Sequence, residues 1–396
     1  MKVFILAREP FPNGMAATNR IINYAKGLTG AGLETEVLLY QRSEAYGKTP
    51  LNTRGRGLID GVSYLYVGET PLQANNGLSR RCENWMDRRR AKSYLYRHLQ
   101  QGDVVLGFIG TDVDYINDVI DVVHSRRAKY VRELNEIPYF GNQTRDAVQG
   151  YKTAVDKQFP KCDGFIAISD ALVEFAGSHK SENAKIIKVP IIVDPTMFDE
   201  KDISAEPSSP YIFHAGTLYE QKDGILGMLE AFGMALPQFD RPVKYILSGT
   251  IDSSPHATEI LTLLDRFNLK NEVEFVGYLY KDQIVKYLRR ASLVISNRYR
   301  SKQNYYGFST KVGEYLASGT PLITTDWGEA PKWLKDGESA YIVEAENIEA
   351  LSKAIVRAFT NDEERIRIGK GGQKVCRENF DYRLHGRRLA DFFKSI

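Results

Sequence analysis

The sequence predicts an α/β protein with two Rossmann-like, doubly wound domains that face each other across a cleft. Three observations lead to this prediction. The chain has 396 residues, which suggests two or three domains at roughly 150 residues each. Short β-rich runs alternate with helical patterns in both halves, as βαβ units around a parallel sheet do. A segment rich in Pro, Ser and Asp, residues 190–210, separates the halves.

The predicted strands follow the same rhythm on either side of this linker. In the N-terminal half they cover residues 3–7, 36–40, 62–67, 104–109, 129–132 and 165–169. In the C-terminal half they cover residues 211–215, 244–248, 273–276, 293–296, 321–325 and 340–343. Ligands of such sheets bind at the carboxyl ends of the strands, so we expect the site in the cleft.

The domain boundaries follow from the linker and from the end of the chain. We predict an N-terminal domain over residues 1–193 and a C-terminal domain over residues 194–379. Residues 380–396 are predicted to form a helix that packs back and completes the first domain. Its apolar residues have helical spacing: Leu384, Leu389, Phe392 and Phe393.

Composition excludes several functional classes. Lys and Arg number 53 against 50 Asp and Glu, a net charge of +3, which disfavours general nucleic-acid binding. The three cysteines lie far apart without a CxxC pair, which argues against a disulfide framework or a structural zinc site. The first residues hold too short an apolar run for an export signal. We therefore expect a cytoplasmic protein, attached at most peripherally to the inner face of a membrane.

Residues 304–323 form the most informative segment. They predict a glycine-containing loop, a helix that opens near Ser309 or Thr310, and a buried strand. A helix N-terminus with Lys311 beside it can hold a phosphate. Glu314, about one turn further along, can accept hydrogen bonds from ribose hydroxyls. The alternative is an ordinary helix with Glu314 in solvent.

Residues 214–224 form the second informative segment. Gly216 predicts a turn at the end of a strand, and Lys222 nearby can present an ammonium group to a diphosphate. An exposed loop lysine without a ligand is the alternative.

Together, these segments resemble retaining glycosyltransferases of family 4, which have the two-Rossmann-domain GT-B fold. The resemblance extends to residues 10–14 after the first strand and to residues 188–198 before the linker. Gly216 and Lys222 match the Gly and Lys of the family's Gly-Arg-x4-Lys element, and Glu314 matches the second glutamate of its Glu-x7-Glu motif. The resemblance implies that Lys222 neutralises the donor diphosphate and that Glu314 binds the nucleotide ribose. These two are the predicted catalytic residues.

Two positions depart from the family pattern. Tyr306 stands where the first glutamate of Glu-x7-Glu is expected, and Thr217 replaces the arginine after the glycine. We hypothesise that Lys311, Arg298 or Arg20 restores the missing positive charge, while backbone amides contact sugar hydroxyls. The residues predicted to bind the donor are Gly14, Gly216, Thr217, Lys222, Arg298, Tyr306, Gly307, Phe308, Ser309, Thr310, Lys311 and Glu314.

The N-terminal half supplies the predicted acceptor side. Gly14 resembles the family's small-residue loop that faces the donor phosphates and the acceptor, although a purely structural turn is the alternative. Many relatives place a histidine near the end of the strand that here precedes Asn135. The residues predicted near the acceptor or the sugar are Asn13, Arg20, Glu133, Asn135 and Glu136, and solvated loop residues are the alternative for the glutamates.

No metal and no cofactor is predicted. Asp112 and Asp114 have the spacing of a metal-binding Asp-x-Asp, but they follow a strand and Thr111, so helix capping explains them better.

Residues 79–99 combine seven cationic residues with aromatic and aliphatic ones. A basic amphipathic helix of this kind can lie on an anionic lipid surface, so we predict peripheral membrane contact. The alternative is a solvated helix face.

We therefore predict a retaining glycosyltransferase that moves a sugar from a nucleotide-diphosphate donor, a UDP-sugar, to a glycan or lipid-linked acceptor, as in polysaccharide or glycoconjugate biosynthesis. One rival is a catalytically degenerate nucleotide-sugar-binding partner protein, which Tyr306 and Thr217 favour. The other is a nucleotide-sugar epimerase or hydrolase, which would use Glu133 or Glu136 as acid or base.

Overall fold

The computed structural model of the protein describes residues 1–108, 113–137, 145–199, 209–216 and 218–396. The chain divides into two compact units. The N-terminal unit comprises Met1–Ile192 and Tyr382–Ile396, and the C-terminal unit comprises Val193–Asp381. The boundaries predicted at residues 193 and 380 differ from these by one and two residues.

The N-terminal unit is built on one sheet with helices packed around it. The strands are β1 (Lys2–Ala7), β2 (Glu34–Leu39), β3 (Arg56–Ile59), β4 (Val62–Tyr66), β5 (Val104–Phe108), β6 (Lys129–Leu134), β7 (Gly164–Ala167) and β8 (Lys185–Lys188). The helices are α1 (Ala16–Gly30), α2 (Gly77–His98), α3 (Val113–Ser125), α4 (Arg145–Gln158) and α5 (Asp170–Gly177). A helix follows each of the strands β1, β4, β5, β6 and β7. The strands lie in the order β3-β4-β2-β1-β5-β6-β7-β8.

Most neighbouring strands of this sheet are parallel, and Val3 of β1 pairs with Thr35 of β2 and Val104 of β5. β3 and β4 are the antiparallel exception. Their hairpin turns at Asp60 and Gly61, which both have positive φ, 49° and 81°. Asp-Gly between extended runs is a strong hairpin signal. The sequence prediction omitted β3 because its four residues are mostly exposed, and it omitted the short edge strand β8 as well.

The C-terminal unit repeats the same architecture. Its strands are β9 (Tyr211–Ala215), β10 (Lys244–Ser248), β11 (Val273–Phe275), β12 (Leu293–Ser296), β13 (Leu322–Thr325) and β14 (Tyr341–Val343). Its helices are α6 (Glu220–Asp223), α7 (Ile225–Ala235), α8 (Ala257–Arg266), α9 (Lys281–Arg290), α10 (Lys302–Tyr306), α11 (Thr310–Ser318), α12 (Ile348–Thr360) and α13 (Asp362–Asn379).

The strand order of this sheet is β11-β10-β9-β12-β13-β14, with parallel pairing between the described neighbours. The chain thus builds outward from β9 in one direction and then reverses at β12. This is the Rossmann order, and its switch point lies between the carboxyl ends of β9 and β12. The prediction of two Rossmann-like domains is confirmed.

The last helix of the chain, α14 (Tyr382–Ser395), belongs to the N-terminal unit and packs on α1. The two helix backbones approach closely, because a side chain at Gly386 would lie within 2.2 Å of the Gly27 carbonyl oxygen. Leu389 and Phe393 enter the same apolar core as β1 and β5. Helical spacing of apolar residues at the end of the chain therefore corresponds to a packed helix. Within the described ranges, no helix is long and apolar enough to span a bilayer.

Candidate functional site

The loops at the carboxyl edge of β9 and β12 form the candidate site of the C-terminal unit. Gly216 follows β9 directly, and its amide donates to the Ser248 hydroxyl at 3.2 Å. A Cβ at Gly216 would lie 2.7 Å from both the Lys311 Nζ and an Asp223 carboxylate oxygen. A side chain here would displace these groups, so the glycine lets the backbone of the turn lie directly beside a lysine ammonium.

Lys311 and Asp223 form an ion pair beside this glycine, with Nζ 2.5 Å from Oδ1. The Asp223 side chain is 4% exposed, whereas the Lys311 side chain is 25% exposed. Burial by itself would raise the pKa of Asp223, but the Lys311 ammonium and the neighbouring His214 together outweigh burial and hold that pKa well below its usual range. Burial lowers the pKa of Lys311, and Asp223 opposes this shift. The pair places a cation at the rim of the sheet over a buried carboxylate.

His214 lies beneath this pair at the end of β9. Its Nε2 is 3.9 Å from Oδ2 of Asp223. Burial, followed by repulsion from Lys311, lowers the pKa of His214, so the ring is neutral near pH 7. Among the described residues, neither ring nitrogen has a hydrogen-bond partner, and neither does Oδ2 of Asp223.

Arg298 connects the two loops of the switch point. Its Nη1 donates to the backbone carbonyl of Lys222 and, at 3.0 Å, to the side chain of Asn304 in α10. The side chain of Lys222 is exposed at the end of α6. Gly224 follows in a left-handed conformation, φ 64°, with its carbonyl bound by the Asn297 amide at 3.1 Å. The predicted cations Lys222 and Arg298 therefore lie on neighbouring segments that hydrogen bonds hold together.

The loop before α11 carries the remaining predicted donor residues. Tyr306 ends α10 and packs edge-on against Tyr305, with ring centroids 5.3 Å apart. Phe308 turns inward, where it contacts Phe380. Ser309 and Thr310 begin α11. The half-buried Glu314 lies one turn further on.

Burial raises the pKa of Glu314, while the nearby Lys281 and Lys311 lower it. A half-buried carboxylate near two ammonium groups can accept hydrogen bonds from paired hydroxyls.

The N-terminal candidates divide into an exposed loop and a buried pair. Asn13 and Gly14 lie in the loop after β1, where the Asn13 amide nitrogen donates to Asn52 at 2.8 Å. A Cβ at Gly14 would collide with the Thr18 hydroxyl, only 2.1 Å away, so this glycine is required for close packing of the turn.

Arg20 and Glu133 lie in the interior of the N-terminal unit. The Arg20 Nε donates to Glu133 at 2.7 Å, and its other nitrogens donate to the carbonyls of Pro190 and Val189. Tyr24 donates to the same carboxylate at 3.2 Å. Both side chains are therefore occupied by partners of their own unit, and contact with a sugar would require the pair to open.

The structure also reveals three groups that the sequence prediction did not assign. His214 and Asp223 lie under Lys311, which is 88 residues from Asp223 in the chain, so no local spacing indicates the contact. Glu9 follows β1; burial raises its pKa, Arg8 lowers it, and nearby Glu136 raises it. A carboxylate two positions after a predicted strand was the available signal for Glu9.

Some predicted positions cannot be placed. Thr217 lies outside the described residues, as do Thr111 and Asp112. Asn135 and Glu136 follow β6 at the carboxyl edge of the N-terminal sheet. Within the described part of the chain, no group of three His, Cys, Asp or Glu side chains has an arrangement that holds a metal ion.

Comparison with known proteins assigns the domain that holds these loops. Residues 197–375 match the family model described as glycosyl transferases group 1. The match covers most of the C-terminal unit, Val193–Asp381. The group 1 domain therefore contains Gly216, Lys222, Lys311 and Glu314.

Curated relatives match different shares of the chain. The putative colanic acid biosynthesis glycosyltransferase WcaL of Salmonella typhimurium is 21% identical over 64% of this chain and 62% of its own length. The putative glycosyltransferase YtcC of Bacillus subtilis is 25% identical over 47% of this chain and 45% of its own. The chain thus matches about half to three fifths of these curated relatives.

A solved structure resembles the whole chain. HepE of Anabaena, in complexes with UDP and with UDP-glucose, has TM-scores of 0.70 and 0.71 at 15% and 14% identity, with full coverage of both chains. At this identity the likeness shows the fold, which is that of GT-B glycosyltransferases.

Proposed function

We propose that this protein is a retaining glycosyltransferase that moves a sugar from a UDP-sugar to a glycan or lipid-linked saccharide, as in polysaccharide or glycoconjugate biosynthesis. The arrangement of Gly216, Lys311 and the N-terminus of α11 at the switch point carries the proposal, with Glu314 one turn along the helix. The match of residues 197–375 to the group 1 family model supports glycosyl transfer. The UDP and UDP-glucose held by HepE support a uridine nucleotide.

Charge stabilisation of the leaving diphosphate is the central step of this mechanism. Negative charge grows on the diphosphate as the glycosidic bond breaks, and fixed donors aimed at such charge lower the barrier. Lys222, Lys311 and Arg298 supply cations, and the first turn of α11 supplies unpaired amides. Glu314 accepts hydrogen bonds from the ribose. The acceptor then attacks from the face that the diphosphate leaves. Positioning of the acceptor therefore contributes most of the rate enhancement that charge stabilisation does not supply.

No metal ion enters this proposal, because the cations of the chain provide the charge that a metal would otherwise supply. Activity is expected to persist in excess chelator. Loss of turnover in chelator, restored by a divalent cation, would contradict metal independence.

Nucleotide binding is the first test. Thermal unfolding and calorimetry with UDP-, GDP- and ADP-sugars should show that a UDP-sugar stabilises the wild type, since a ligand that binds the folded state raises stability by mass action. At a ligand concentration of about 100 times Kd the gain is roughly 2.7 kcal/mol. Glu314→Ala should lose most of this gain, whereas Glu349→Ala, an exposed-helix control in α12, should retain it. If no nucleotide sugar binds the wild type, the donor site is refuted.

A catalytically degenerate nucleotide-sugar-binding protein is the second candidate, and Tyr306 at the expected glutamate position favours it. Turnover of a bound UDP-sugar separates the candidates. Lys311→Ala and Arg298→Ala should each slow transfer if these cations replace the missing charge. Unchanged turnover in both variants would contradict that role.

Free sugar or an epimer formed without any acceptor would instead indicate a hydrolase or an epimerase.

The acceptor side remains a proposal. The N-terminal unit is proposed to bind the acceptor through the loops after β1 and β6, which hold Asn13, Gly14, Asn135 and Glu136. A cytoplasmic location with peripheral contact to the inner membrane face through α2 would bring a lipid-linked acceptor to this unit.

A further inference from the structure

Three elements of the C-terminal unit bring His214, Asp223 and Lys311 together around one glycine. His214 ends β9, Asp223 ends α6, and Lys311 lies in the first turn of α11. A Cβ at Gly216 would lie 2.5 Å from the His214 Nε2 and 2.7 Å from both the Asp223 Oδ2 and the Lys311 Nζ. The turn that faces the proposed diphosphate thus rests directly on this cluster.

Lys311 retains capacity for a ligand in this arrangement. Its ammonium has three donor hydrogens, and the hydrogen bond to Asp223 at 2.5 Å uses one of them. The side chain is a quarter exposed, in contrast to the buried carboxylate below it. A pair that served packing alone gains little over apolar residues of the same volume. Partial exposure beside a glycine is what an anion site requires.

Asp223 also opposes the forces that would discharge the lysine. The charged and titratable groups facing Lys311 are Asp223 and Lys222 from α6, His214 from β9, Arg298 after β12, and Glu314 on its own helix. Burial lowers the pKa of Lys311, Asp223 raises it, and Arg298 and Lys222 lower it. His214 is buried and neutral near pH 7, so the carboxylate is the group that directly compensates the ammonium.

We propose that Asp223 is a positioning residue, which holds the Lys311 ammonium beside Gly216 and keeps it charged so that Lys311 binds the donor diphosphate. This inference rests on the proposed function. Asp223 itself touches no substrate and acts through Lys311. His214 forms the neutral floor beneath the pair.

Calorimetric titration of the full-length protein with UDP tests this role. Titrations at about pH 7.5 and pH 8.5 lie above the second phosphate pKa of roughly 6 and below the pH at which the uracil ring loses its N3 proton, so the charge on UDP is nearly constant. Wild-type affinity should change less between these two values than the affinity of Asp223→Asn, because Asp223 raises the pKa of the partly buried Lys311. Asp223→Asn should bind about tenfold more weakly at the lower pH, a loss typical of one charge-assisted contact, and weaker still at the higher pH. Asp252→Asn, an exposed control after β10, should match wild type.

A double-variant cycle separates positioning from general structural damage. If Asp223 acts through Lys311, Asp223→Asn should have no further effect on UDP affinity in a Lys311→Met background. Asp223→Glu keeps the charge but displaces it, so its affinity should fall between those of wild type and Lys311→Met and should depend on pH about as little as that of wild type. This variant decides the question if Asp223→Asn fails to fold.

Three results would overturn the inference. In the first, Asp223→Asn binds UDP as tightly as wild type at both pH values. In the second, Asp223→Asn weakens UDP binding by the same factor in the Lys311→Met background as in wild type. In the third, the UDP affinity of Asp223→Glu falls steeply as pH rises. If wild type itself binds no UDP, the proposed function fails and the inference falls with it. Wild-type binding together with an unaffected Asp223→Asn rejects only the positioning role.

Discussion

At the residue scale, Arg20 and Glu133 form a buried ion pair that local sequence patterns do not indicate. Both were predicted near the acceptor or the sugar, on the basis of strand ends and charge. In the folded N-terminal unit, their side chains are 2% and 1% exposed and pair at 2.7 Å. Tyr24 and two carbonyls complete the network. Here the guanidinium joins α1, β6 and the chain after β8.

Removing one partner of this pair should be costly. Arg20→Met leaves Glu133 buried without its cation, and we expect a loss of about 3–5 kcal/mol in the free energy of unfolding. Urea unfolding near pH 7 measures it. Arg8→Met, at a cation that is 52% exposed, is the control and should change stability by less than about 0.5 kcal/mol.

The same variant predicts a pH dependence with a definite sign. Burial raises the pKa of Glu133 above 4.5, and Arg20 opposes this shift, so Arg20→Met should raise the pKa further. A carboxyl whose pKa is higher in the folded than in the unfolded state binds its proton preferentially when folded. The loss of unfolding free energy in the variant, relative to wild type, should therefore grow as pH rises from about 4.5 through the raised pKa. It should shrink on acidification. A deficit that is the same at pH 5 and pH 7 would contradict this.

At the scale of elements, some cations of α2 contact other residues of the N-terminal unit and others face solvent. Asp87 is buried and pairs with Arg42 at 3.0 Å and with Arg90 at 2.8 Å. Arg88 stacks on Tyr115. On the outward side, Arg89 lies over Trp85, which is 57% exposed. Fewer cations are thus available to a membrane than the sequence count suggests.

Membrane contact should depend on this outward side. Arg81→Glu combined with Arg89→Glu should abolish sedimentation with vesicles that contain anionic lipid, because each cation near such a surface contributes about 1 kcal/mol. The charge-matched control, Lys270→Glu with Lys335→Glu, changes exposed lysines of the C-terminal unit and should sediment like wild type. Equal binding of both double variants to the vesicles would contradict membrane contact through α2.

At the scale of the whole molecule, the end of the chain belongs to the unit that contains its beginning. α14 follows the C-terminal unit in sequence but packs on α1. Gly386 and Gly27 allow the two backbones to touch. The stability of the N-terminal unit therefore depends on residues that follow the C-terminal unit in the chain.

A side chain at this crossing should destabilise the N-terminal unit selectively. Gly386→Val places atoms against the Gly27 carbonyl, and overpacking of this kind costs about 1–3 kcal/mol. Calorimetric unfolding should show a lower transition for that unit, with stabilisation by UDP-sugar retained in the C-terminal unit. The neighbouring exposed substitution Arg387→Val is the control. Equal unfolding temperatures for both variants would contradict the packing role.

The sequence by itself determined the fold class, the strands of the C-terminal unit and the terminal helix. These follow from local patterns: β-rich runs between helices, the glycine and lysine after β9, and apolar residues at helical spacing near Leu389. It also placed Gly216, Lys311 and Glu314 on loops and a helix at one sheet edge. This was possible because parallel strands bring their carboxyl ends to a common edge.

Only the tertiary structure decided which charges meet. Asp223 pairs with Lys311 across 88 residues, and Arg20 pairs with Glu133 across 113. Such contacts depend on strand order and burial, which no local spacing encodes. Burial also decides their chemistry, because it makes an unpaired charge costly and so forces each of these ionised groups to find its partner.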